Sequence, residues 1–248
     1  VELKEDHPFK EAFQKLSVFG KTDVKQYYRH TEPELSNTAM NWRIHNFIQS
    51  GELKSVGRGR YTFKAGNYFS PVVSSGLRRL YKQLASQFPF ASICVWDTRA
   101  LTEFMQHVPG RHFVLIEAEK DVAEAVFFFL KEKRKNVFLK PDLKVLEYYT
   151  PSHSDSIIVL PLVSQSPLEQ YKNVNTASLE KMLVDVFSNE TLFAAYQGNE
   201  MLTIFKNAFS KYLIRESTLL RYAGRKGKRE EIIEYLKKIT DFGTGSGT

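Results

Sequence analysis

A single cysteine, Cys94, stands among 248 residues, so no internal disulfide can form. A chain of this length can bury an adequate core without one, and its size allows one large domain or two smaller ones. No uncharged apolar run reaches the roughly 18 to 20 residues that a membrane helix needs. The best, residues 122–130, contains Glu124 and closes at Lys131. The opening VELKEDHPFK mixes acids and bases as no signal peptide does. The closing GTGSGT, residues 243–248, has no apolar or charged side chain and reads as a flexible tail or cloning remnant. A cytoplasmic protein away from membranes is the expectation.

Phosphate-binding and nucleophile motifs are missing as well. There is no glycine-rich loop ending in Gly-Lys-Ser/Thr, no GxGxxG and no GxSxG, which removes the first sign of an ATPase, a dinucleotide-binding domain or a serine hydrolase. His7, His30, His45, His107, His112 and His153 show no paired metal-ligand spacing, so no metal or cofactor is expected. Asp97 follows one apolar run, and Glu117, Glu119, Lys120 and Asp121 lie at the end of another, an arrangement that suggests a metal-dependent nuclease. The acid-x-Lys pattern of that chemistry would require an acid at 118, where Ala118 stands. These residues read instead as helix-capping charge at Asp121 and surface acids, and no catalytic residue is assigned.

What the chain does have is positive charge. Its 35 Lys and Arg against 28 Asp and Glu give +7, concentrated toward the two ends: 11 basic and 8 acidic residues in 1–70, 9 and 4 in 211–238. Such a balance favours a polyanionic partner, nucleic acid before membrane.

Apolar spacing predicts helices over 8–19 (Phe9, Ala12, Phe13, Leu16, Phe19), over 23–28 behind a Thr22 cap, and from Ser36 or Asn37 to Gln49, stopped by Ser50-Gly51. A basic two-strand pattern follows around Gly57-Arg58-Gly59. Three helices and a basic hairpin are the order of a winged helix-turn-helix, placed at residues 1–72. Residues 73–242 read as a mixed α/β (α+β) domain with a helical C-terminal region: a helix over 75–88, strands near 91–96, 113–116, 137–139 and 157–160, helices over 101–107 and 122–133, a polar loop over 163–174, then helices to 239. Within the first apolar run Cys94 reads as a small buried hydrophobe.

In a winged helix the third helix enters the major groove, which makes Ser36, Asn37, Thr38, Asn41, Trp42, Arg43 and His45 the candidate readers. Asn pairs bidentately with adenine and Arg with guanine. Lys21, Lys25 and Arg29 are candidate phosphate contacts; Arg58, Arg60 and Lys64 of the hairpin would follow the backbone or probe the minor groove. Arg221, Arg225, Lys226, Lys228 and Arg229 form a second basic cluster: a phosphate patch, a site for an acidic partner, or a charged loop between exposed helices.

The order of parts, with the wing GRGRYTFKAG and the segment Asn175-Thr176-Ala177-Ser178-Leu179-Glu180-Lys181-Met182-Leu183-Val184-Asp185 opening a helical tail, resembles the AbiEi-like antitoxins of bacterial type IV toxin-antitoxin systems. The resemblance implies a repressor that binds inverted repeats in its own promoter through the third helix and the Arg58/Arg60 wing. It further implies a second domain that counters a toxin of nucleotidyltransferase fold without a stable mutual complex. A ligand-sensing winged-helix regulator is the alternative, and a nuclease using Asp97 and Glu117 the more distant one.

Overall fold

The computed structural model describes residues 7–14, 16, 19–57, 59–63, 68–150 and 155–244. The chain divides into two compact units, Val1–Tyr68 with Ser210–Ser217, and Phe69–Phe209 with Thr218–Thr248. The sequence places this division at residue 72 and keeps 210–217 with the second domain. No helix among the described residues is long and apolar enough to cross a membrane.

The first unit runs α1 (His7–Phe13), β1 (Phe19–Gly20), α2 (Lys21–Thr31), α3 (Asn37–Gln49), β2 (Lys54–Gly57) and β3 (Arg60–Thr62). Its strands form an antiparallel sheet in the order β1-β3-β2. Aromatic rings fill its core: Phe9 packs on Phe13, Phe19, Tyr28, Phe47 and Phe63, with centroids 5.0 to 6.2 Å away. That core corrects the first predicted helix. Phe19, assigned to it by spacing, lies on β1 opposite Tyr61, with its ring 4.4 Å from that of Phe13. Helix α1 ends at Phe13, and a strand carries the third ring into the same apolar cluster.

Capping explains the next two helices. Gly20, not Thr22, precedes α2, its N–H donating to Asp23 Oδ2 at 2.6 Å. Ser36 caps α3, its Oγ accepting from the Ala39 N–H at 3.1 Å. Met40, Ile44 and Phe47 turn α3 inward, and Gly51, at φ 78°, supplies the left-handed residue that ends it. Gly59, at φ 69°, returns the hairpin, and its carbonyl accepts from the Lys21 N–H at 2.7 Å.

The second unit is mixed α/β. Helix α4 (Ser75–Gln87) leads into β4 (Ile93–Asp97), a 3₁₀ turn (Thr98–Phe104), β5 (Phe113–Ala118), α5 (Ala123–Lys131), β6 (Val137–Leu139), α6 (Leu143–Tyr148) and β7 (Ser156–Pro161). Then come β8 (Leu168–Tyr171), β9 (Val174–Ala177), α7 (Leu179–Ser188), a 3₁₀ turn (Ala194–Tyr196), α8 (Asn199–Lys211), α9 (Glu216–Arg225) and α10 (Arg229–Thr244). The four-stranded sheet has the order β4-β5-β7-β6, parallel across β5, β7 and β6, with β4 antiparallel at one edge.

Burial on both sheet faces explains the near-continuous apolar strands. On one face Val95, Ile116, Ala118, Ile157 and Val159 pack with Leu77, Leu80 and Leu84 of α4 and Val126 and Leu130 of α5. The alternate side chains Cys94, Trp96 and Glu117 point to the other face, where Trp96 stacks on Phe193 at 6.0 Å. Cys94 is fully buried, and burial pushes its thiol pKa well up, as expected of a small hydrophobe.

Several local predictions change. The helix expected over 101–107 is the 3₁₀ turn Thr98–Phe104; α6 interrupts a region that shows no helical signal; α10 runs on to Thr244. The polar loop expected over 163–174 contains β8, which pairs with β9 as a hairpin. Its two-residue turn, Lys172 (φ 50°) and Asn173 (φ 61°), is left-handed at both positions, the pattern that matches strand twist. Lys is poorly suited to that conformation. The double substitution Lys172→Asn/Asn173→Gly should therefore stabilise the chain by about 0.5–1 kcal/mol and raise the melting midpoint by about 1–4 °C. A lower midpoint would contradict the turn geometry.

Candidate nucleic-acid interface

Helix α3 presents one polar face outward. Thr38, Asn41, Trp42 and His45 fall at helical three- and four-residue spacing and all are exposed, as is Asn37. Trp42, 57% exposed, is the unusual member, because so large an indole leaves apolar surface in water. On α2, Lys21, Lys25 and Arg29 recur every fourth residue, all exposed and without an ion pair among the described residues. Ser36 is exposed with its hydroxyl oxygen committed to the cap.

Arg43 departs from its expected role. Its guanidinium turns back from the exposed face, donating to Glu32 through Nη1 at 2.6 Å and Nη2 at 2.9 Å, and lies 5.3 Å from the centre of the Tyr28 ring. The Glu32 hydrogen bonds push its pKa further up, against the opposing effect of partial burial. This bidentate pair ties α3 to the end of α2 and engages the Arg43 fork with Glu32. Arg60 lies on β3 opposite Gly20 and Gly57. Arg58, Lys64 and His153 lie outside the described residues.

The second basic cluster disperses. Lys228 binds Glu231 at 2.7 Å, Arg229 binds Glu230 at 2.9 Å, and Arg225 donates to the Gln165 amide oxygen at 3.3 Å. Lys226 turns inward to Asp185 at 2.8 Å, leaving Arg221 as the exposed cation without a described partner. Three of the five cations, Lys226, Lys228 and Arg229, are thus paired with acids, while Arg221 and Arg225 lie exposed on α9 with no acid partner among the described residues.

That inward lysine belongs to a buried ionic cluster that the sequence did not reveal. Lys181, on the first turn of α7, has no exposed surface; its Nζ donates to Glu117 of β5 at 2.6 Å and to Asp185 one turn along. Trp96 Nε1 donates to Glu117 at 3.1 Å, and the Tyr222 hydroxyl of α9 donates to Asp185 at 2.9 Å. Burial alone would lower the Lys181 pKa, but Asp185 and Glu117 hold it well above the usual range. Burial would likewise raise that of Asp185, yet Lys181 and Lys226 keep it below the ordinary aspartate value. Glu117, expected among the surface acids, is buried, as are Glu180 and Asp185 of α7. The available signal was the i,i+4 pair Lys181/Asp185, together with one acid inside an apolar strand.

The same geometry separates the acids of the nuclease alternative. Glu117 stands opposite Cys94 and Asp97 opposite Val114, so the two carboxylates point to opposite faces of the sheet. Asp97 instead caps the following turn, accepting from the Arg99 N–H at 2.9 Å. Glu119 accepts from the Ser92 N–H at 3.2 Å, and α5 is preceded by Val122 rather than capped by Asp121. Among the described residues no group of three potential ligands could hold a metal ion.

The chain belongs to a family of unknown function, DUF6577, whose sequence profile matches residues 39–241. No curated protein matches it. The matched span begins within α3 and contains every member of the buried cluster.

Lys181→Met should destabilise the chain by about 3–5 kcal/mol, because Glu117 and Asp185 would stay buried without their ammonium. Urea unfolding measures the loss; one below about 1 kcal/mol would refute the clamp. The depressed pKa of Asp185 also sets a sign for pH. Its contribution is complete above about pH 4 and disappears as the pH falls through its folded value. An acid unfolding limb equally steep in Asp185→Asn would remove this residue from the transition.

Proposed function

We propose that the chain is a double-stranded-DNA-binding protein whose first unit is a winged helix-turn-helix, and that it represses its own promoter from the cytoplasm. The observation that carries this reading is the outward face of α3, with Thr38, Asn41, Trp42 and His45 on a helix anchored by Arg43 and Glu32. The element order helix, strand, helix, helix, hairpin, with the last strand central in the sheet, supports it. So do the cations of α2, without an ion pair among the described residues and placed on the helix before the proposed reading helix, where backbone phosphates lie when a second helix occupies the groove. Asn41 offers the donor and acceptor that read adenine; Trp42 offers apolar surface for a thymine methyl.

The second unit, in this proposal, acts as the antitoxin against a nucleotidyltransferase-fold toxin. The likeness behind that role falls on Asn175–Asp185, where Leu179, Met182, Leu183 and Val184 are buried along with Lys181 and Asp185. The shared pattern is thus one of core packing, and an antitoxic surface would be carried by the elements built around it. Rescue of growth on co-expression with the toxin of a neighbouring gene tests this half, and continued growth arrest would remove it.

DNA binding is tested by anisotropy with a duplex from the chain's own upstream region. Lys25→Ala and Arg29→Ala should each weaken binding and reduce the slope of log affinity against log salt by about one. Asn41→Ala should instead relax preference at one base pair by about 1–3 kcal/mol. Unchanged slopes together with unchanged base preference would refute this placement of DNA.

A further inference from the structure

The second unit contains a cleft of about 920 Å³ beside the start of α4, the 3₁₀ turn after β4 and the beginnings of β5 and β7. Its apolar lining comes from Leu77 and Leu80 of α4 with Val114 and Ile157 of the sheet. The polar lining is of two kinds. Arg99 is held between two carboxylates, donating to Asp97 at 2.8 Å and to both oxygens of Asp155, so these three groups are ordered by one another. Arg79 and Arg134 also line the cleft, yet they are exposed and carry no ion pair among the described residues.

We propose that this cleft binds a nucleoside monophosphate. Two guanidiniums without counter-ions among the described residues suit a phosphate dianion, whose oxygens match the planar donor fork. The carboxylates of Asp97 and Asp155, with Glu103 also in the lining, repel that phosphate and accept from hydroxyls, which a ribose supplies. A base then has the aliphatic strip of α4 to cover. Bare phosphate would use only the arginines, and an unphosphorylated nucleoside only the remainder. The cleft's volume falls within the range of small-ligand sites.

Calorimetric titration of the full chain, without DNA, with AMP, GMP, CMP and UMP, their nucleosides and inorganic phosphate tests the proposal. At least one monophosphate should bind with one-to-one stoichiometry and at least about tenfold more tightly than its nucleoside and than phosphate. Arg79→Ala/Arg134→Ala, with an unchanged melting midpoint, should weaken it by about tenfold or more, and the single Arg→Gln variants by less. Lys21→Ala/Lys25→Ala should leave it unaltered. No binding by any monophosphate up to about 1 mM, binding that survives loss of both arginines, or binding lost with the α2 lysines would each overturn the proposal. Because no DNA is present, the outcome is independent of the promoter-binding reading.

Discussion

A buried ammonium holds the second unit together. Lys181 has lost all contact with water, a state tolerable only because Glu117 and Asp185 both accept from it. Its partners come from separate elements: Glu117 from the second strand of the sheet, Asp185 from the same helix, and, through Asp185, Tyr222 and Lys226 from α9. Strand, helix and tail helix are thereby held in one electrostatic arrangement, with two positive and two negative groups answering one another. Apolar packing alone would tolerate small slips between these layers. A buried charge network does not, because every displacement leaves a charge without its partner.

The first unit is built on a different principle. Its interior is aromatic, and the bidentate ion pair of Arg43 with Glu32 lies toward the surface. That pair sets the pose of α3 against α2, while the core fixes which face of α3 stays outside. An exposed tryptophan and an asparagine on the outer face of α3 suit recognition better than they suit stability, since more than half of Trp42 stays in water. Lys21, Lys25 and Arg29, without an ion pair among the described residues, lie on the neighbouring helix. On the proposed reading, DNA phosphates would supply the partner that these cations lack among the described residues.

Legibility in the sequence followed the strength of local signals. The third helix was readable because Ser36 caps it and Met40, Ile44 and Phe47 keep helical spacing; strands β4 and β5 were readable because burial on both faces makes them continuously apolar. Phe19 was misplaced because a ring needed by the core can reach it from a strand as readily as from one more helical turn. The β8–β9 hairpin was hidden by polar composition and by a turn that uses Lys172 and Asn173 in place of glycine. The ionic cluster was the hardest to see: Glu117 and Lys181 are 64 residues apart, and only the pairing of their elements brings them to 2.6 Å. Charge counts alone also left open how the five cations near residue 225 are engaged: three of them, Lys226, Lys228 and Arg229, pair with acids, which only the structure shows.

The most direct measurement is the affinity of the full chain for the duplex just upstream of its own gene, set against a shuffled duplex of equal length and followed from about 50 to about 200 mM salt. A reading helix on a sequence-specific protein predicts tighter binding to the upstream duplex at every salt concentration, with the specificity ratio persisting as phosphate contacts weaken. Equal affinity for the two duplexes, or none for either, would contradict the account and make the exposed face of α3 a surface for something other than DNA.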